Sequence, residues 1–98
     1  MAKTFAALKA EAEAADDNVS LYRAVDAANG KLYRNINNAK LLSYTHGSAA
    51  DADHYFQNVI PGWQRIVNDI NAIWTSAVAG KSAEEIVSII TRASPSAA

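Results

Sequence analysis

Ninety-eight residues carry nine Lys/Arg against ten Asp/Glu, a net charge of −1, and no cysteine. The length suits one domain with its own apolar core, and the missing cysteine excludes disulfides, Cys-based zinc sites and thiol nucleophiles. The near-neutral balance argues against nucleic acid as a partner of the chain as a whole. Half of the residues are hydrophobic, but 21 are alanine, so large apolar side chains are few and helix is favoured.

In chain order, residues 3–15 read as an alanine-rich helix with Phe5, Leu8 and Ala12 on one face. Lys9, Glu11 and Glu13 interrupt any apolar run there, so a secretory signal is not expected in this stretch. No later stretch approaches the roughly 18 uncharged apolar residues of a membrane span, and a cytoplasmic location is expected. Asp16, Asp17 and Asn18 read as a turn and an N-cap for a second helix.

Residues 20–36, SLYRAVDAANGKLYRNI, repeat Leu-Tyr-Arg around Asn29-Gly30, the dipeptide typical of a β-hairpin turn. A hairpin would set Val25 against Arg34 and Arg23 against Ile36, and neither flank then sorts apolar from polar at period two. Helical spacing instead aligns Leu21, Val25, Ala28, Leu32, Ile36 and Ala39 in one stripe. The eleven-residue echo is about three turns, which returns equivalent residues to one face. A helix over 18–46 is therefore expected, continuous or gently kinked at Gly30. At about 1.5 Å per residue it is roughly 43 Å long, which implies an elongated or dimeric particle.

Gly47 then suits a helix C-cap after His46. Residues 48–60 begin another helix, and Pro61-Gly62 should end or kink it. WQRIVNDINAIWTSAV, from Trp63, is the clearest amphipathic pattern of the chain, with Trp63, Ile66, Val67, Ile70, Ile73 and Trp74 on one face. Gly80 closes that helix, and Ser82-Ala83-Glu84-Glu85 is a capping box for the last one. The fold expected is an all-α bundle or array of four to five helices, one domain over 1–98 with 94–98 a flexible tail. No family is recognised: in size and paired helices the chain resembles the small secreted WXG-type helical hairpins, but the Trp-x-Gly turn they require is absent, the order here being Gly62-Trp63, and nothing is carried over.

For chemistry the residues offer little. Asp51 and His54 have metal-ligand spacing on a helix, but only one such pair exists and it holds Asp in place of Glu, so a four-ligand site is not assembled and no metal or cofactor is expected. No activated nucleophile, Gly-x-Ser-x-Gly elbow or phosphate-cradling glycine loop is present, and the chain is read as non-enzymatic.

Three surfaces stand out. Residues 18–46 hold four Arg/Lys against one Asp, and Tyr22, Arg23, Lys31, Tyr33, Arg34 and Lys40 are candidates for a face that meets a partner or an anion. Trp63 and Trp74 read as core anchors; with Tyr44 they are the candidate walls of a small-ligand pocket. In the terminal helix, Ala83, Ile86, Val87, Ile89, Ile90 and Ala93 spread over an arc wider than about 150°. That is wide for a helix with one neighbour, and Ile86, Val87 and Ile90 are the candidate self-association contacts. The function expected is a helical protein–protein interaction module that self-associates, of the kind phages and mobile elements use as inhibitors, adaptors or virion components. A ligand-binding bundle and a weak anion- or nucleic-acid-binding helix face are the alternatives.

Overall fold

A computed structural model describes residues 3–45 and 53–94, with only the backbone of 42–45. The chain is all-α. Four helices are described: α1 (Phe5–Ala14), α2 (Asn18–Thr45), α3 (Ile60–Ala77) and α4 (Ala83–Ala93). A π-helical stretch, Tyr55–Val59, runs directly into α3.

Each boundary has a local cause. Thr4 caps α1, its Oγ1 accepting from the Ala7 amide at 3.1 Å. Asp17 does the same for α2, accepting from the Ser20 amide at 2.7 Å. That amide, more than the Ser20 hydroxyl, the Val19 amide or the Arg23 charge, holds the Asp17 carboxyl below its usual range. Gly80, at φ +82°, ends the turn after α3 in the left-handed region that side chains other than glycine rarely adopt. Ser82 and Glu85 then close a complete capping box at the start of α4.

Asn29-Gly30 lies inside a continuous helix, as the eleven-residue echo requires. The Arg34 guanidinium folds back over Gly30; an added Cβ there would stand 3.2 Å from Nη1. Pro61 does not end its helix. Backbone helicity runs from Asp53 through Ala77, with the proline in the first turn of α3. Proline lacks an N–H and its ring crowds the carbonyl one turn back. The Ile60 amide bonds to the Tyr55 carbonyl, a wider i to i−5 loop that shifts the ladder immediately before the proline. The expected C-cap at Gly47, and His46 and Asp51, lie outside the described residues.

α1, α2 and α3 pack on one another around a single cluster. Phe5, Leu8 and Ala12 meet Leu21, Ala24, Val25, Ala28 and Leu32 of α2 and Val67 and Ile70 of α3. The spacings are those of one helical face, and Ala12, Ala24 and Ala28 let backbones approach where larger residues would hold them apart. Across the α2–α3 seam, Asn29 Nδ2 donates to Asn71 Oδ1 at 2.8 Å and Asn71 Nδ2 donates back to Asn29 Oδ1 at 3.2 Å. The molecule measures 47 × 28 × 26 Å, and α2, about 42 Å long by its rise per residue, sets the long axis. Its far half is less covered: Tyr33 is 70% and Leu41 61% exposed. No helix among the described residues is long and apolar enough to cross a membrane.

Candidate interaction surface

The terminal helix is the feature the core does not absorb. α4 packs mainly on α2. Its Ile89 and Ala93 are buried, but neither joins the cluster shared by the other three helices. Two grooves flank the contact. One is lined by Val19 and Ser20 of α2 with Ser88 and Ile89 of α4. The other lies between Tyr22, Asp26 and Ala27 on α2 and Ile90, Ala93 and Ser94 at the end of α4.

Both ends of α4 are tied. Glu84 and Glu85 stand in its first turn, where negative charge suits the helix dipole, and Lys81 pairs loosely with Glu85 at 3.9 Å. At the other end, Arg23 Nε donates to the Ala93 carbonyl at 3.4 Å, satisfying a group the helix leaves open. The Ser94 hydroxyl donates to the Ile90 carbonyl at 3.1 Å.

The apolar arc is only partly covered. Successive residues turn by about 100°, so Val87 stands about 160° round the helix from Ile89 and cannot face the same neighbour. Val87 is 60% exposed, and Ile86 and Ile90 are half-buried between the two extremes. Of the three sequence candidates, Val87 thus faces outward and the other two straddle the edge of the contact. Ile89 and Ala93, the residues seated on α2, belong to the same arc. Nothing local separates them from Val87, because the period marks a face without saying which part of it meets a neighbour.

The six residues of the cationic face do not form one surface. Tyr22 packs on Trp74 with ring centroids 4.9 Å apart. Arg23 serves the end of α4. Lys31 stands over the Phe5 ring at 5.3 Å, on the side of α2 that meets α1. On a 100° step, Tyr22, Tyr33 and Lys40 share one side of α2, Arg23 and Arg34 lie about 100° further on, and Lys31 points nearly opposite Tyr22. Tyr33, Arg34 and Lys40 are exposed.

The two tryptophans share a face of α3 but not a site. Eleven residues separate them by about 16 Å along the axis. Trp63 packs between Phe5, at 5.7 Å, and Tyr55, at 5.6 Å, while Trp74 meets Tyr22. Each indole is covered by another ring, so they act as anchors at opposite ends of the core. The side chain of Tyr44 lies outside the described residues.

His54 and Asp53 are exposed, and each pairs one turn along: Asp53 accepts from the Gln57 side chain at 2.8 Å, and His54 Nδ1 lies 3.3 Å from Asn58 Nδ2. Among the described residues no three His, Cys, Asp or Glu side chains gather closely enough to hold a metal ion. Comparison with protein-family models, with curated proteins and with solved structures gives no match.

Proposed function

We propose that the chain is a non-enzymatic helical interaction module that self-associates through α4. The observation that supports this most directly is the mismatch between the apolar arc of α4 and its cover. Ile86, Val87, Ile89 and Ile90 crowd a helix of eleven residues, yet α2 covers Ile89 fully and leaves Val87 60% exposed. Full burial of one such side chain is worth about 1.5–3 kcal/mol, so an open flank of this kind favours a second surface. A second copy offers one without further requirement, because a two-fold contact presents the same flank twice.

The test is native mass spectrometry across a concentration series, with Val87→Asp beside the wild type. The wild type should form dimers or higher oligomers; the aspartate should remove them while helical circular dichroism stays unchanged. Val87 is the informative position because it is exposed, whereas Ile86 and Ile90 also support the fold. An oligomer indifferent to Val87→Asp, or a wild-type chain that stays monomeric, would overturn the reading.

A further inference from the structure

We infer that two copies pair their α4 helices antiparallel about a two-fold axis beside Val87 and Ser88, with Glu84 of each copy against Arg92 of the other. This rests on the self-association proposed above and adds its arrangement, which the exposure of Val87 by itself leaves open.

α4 meets α2 with Ile89 and Ala93, and its other side is open: Glu84, Val87, Ser88, Thr91 and Arg92 are all exposed. Glu84, Ser88 and Arg92 follow one another a turn apart, with Val87 and Thr91 alongside. The two charged residues therefore close opposite ends of one face, about 12 Å apart along the axis. Glu85, next to Glu84, is engaged by the Ser82 cap and by Lys81. Arg92 Nε donates to the Ser88 carbonyl at 3.4 Å, and among the described residues neither Glu84 nor Arg92 is in an ion pair.

A face with an acid at one end and a base at the other is complementary to its own reverse. Turned end for end, a second α4 sets its Arg92 beside Glu84 and its Glu84 beside Arg92, and Val87, Ser88 and Thr91 meet between the two ion pairs. The acidic first turn of each helix then lies beside the last turn of the other, as the dipoles favour. A parallel pair would set Glu84 against Glu84 and Arg92 against Arg92. Val87 beside the axis meets its own counterpart, so Val87→Asp brings two carboxylates together. Helices of eleven residues make a contact at the small end of interfaces, where charge placement decides orientation.

The experiment is charge exchange in the full chain, with the dimer Kd read by sedimentation at low salt. Glu84→Arg and Arg92→Glu each leave two like-charged pairs and should weaken the dimer about tenfold. Combined in one chain they rebuild both pairs in reverse and should return the Kd to near the wild-type value. At about 1 M salt the single variants should approach wild type.

The chain has no cysteine, so an introduced thiol gives a second reading without a change of charge. Under mild oxidation Ser88→Cys, beside the axis, should link two copies. Thr91→Cys lies about 10 Å from its counterpart along the axis, beyond disulfide reach, and should not; a parallel pair would link at both positions. Recovery in the double variant, or linkage through Ser88→Cys alone if an exchanged chain fails to fold, supports the antiparallel pair. Single variants as tight as wild type, a double variant as weak as the singles, or linkage at both positions overturns the arrangement and leaves self-association through Val87 standing. A chain monomeric at every concentration overturns both.

Discussion

α1 and α4 are of nearly equal length, ten and eleven residues, and both dock on α2, yet they are buried to very different extents. α1 carries two large apolar side chains, Phe5 and Leu8, and buries both together with Ala12. α4 carries four and buries one, Ile89, beside Ala93. The weaker stripe ended up in the core. α1 lies against both α2 and α3, so a narrow stripe is closed from two sides; α4 meets chiefly α2 and is closed from one. The number of neighbouring surfaces sets burial here, more than the strength of the apolar pattern.

The largest effect should come from the core side of that comparison. Leu8→Ala leaves a void between three helices and should cost about 3 kcal/mol, read as a lower urea midpoint of the whole chain. Ile89→Ala removes a comparable side chain from a one-sided contact, and about 2 kcal/mol is expected. Its signature should be local: amide exchange accelerates in α4 and stays slow in α1. Equal acceleration in both helices would mean that α4 belongs to the core after all.

The caps sharpen the same contrast at lower cost. Thr4→Ala and Ser82→Ala each remove an N-cap, worth about 1 kcal/mol. The first should lower the midpoint of the whole chain, while the second should be read mainly as faster exchange in α4. A uniform midpoint shift from Ser82→Ala would again tie α4 to the core.

The smallest effect concerns acid. The folded-state pKa of Asp17 is lowered below 3.8, mainly by the Ser20 amide it accepts from. A depressed carboxyl contributes stability that is whole above its unfolded value, near 4, and is lost as pH falls through the folded value. Asp17→Asn should therefore flatten the acid limb of the stability profile below about pH 4 and leave its slope near neutrality unchanged. An acid limb of unchanged slope would assign the acid sensitivity to other carboxylates.

Much of the secondary structure was legible because its causes are local. Thr4, Asp17 and Ser82 act on amides three residues away, and the echo from Leu21 to Ala39 needs only the 3.6-residue period. Pro61 was legible as a disturbance but not in its form, since the π-helical stretch that absorbs it lies in the preceding turn. The candidate surfaces were less legible. Arg23 and Lys31 carry the same charge, but one caps a helix end contributed from seventy residues away and the other covers a ring of α1. Asn29 reads as half of a turn signal; its bond to Asn71 depends on a residue forty-two positions on.

The sequence by itself determined that the chain is helical, the turn between α1 and α2, the capped start of α4 and the apolar stripe on each helix; whether α2 kinks at Gly30 and whether Pro61 ends a helix it left open. Those features arise from contacts within about four residues, where spacing and side-chain type suffice. Tertiary structure alone decided which part of each stripe is covered, that the two tryptophans anchor opposite ends of the core, and that the short helix with more large apolar side chains stands at its edge. Burial depends on how many other surfaces reach a side chain, and that count depends on the path of the whole chain.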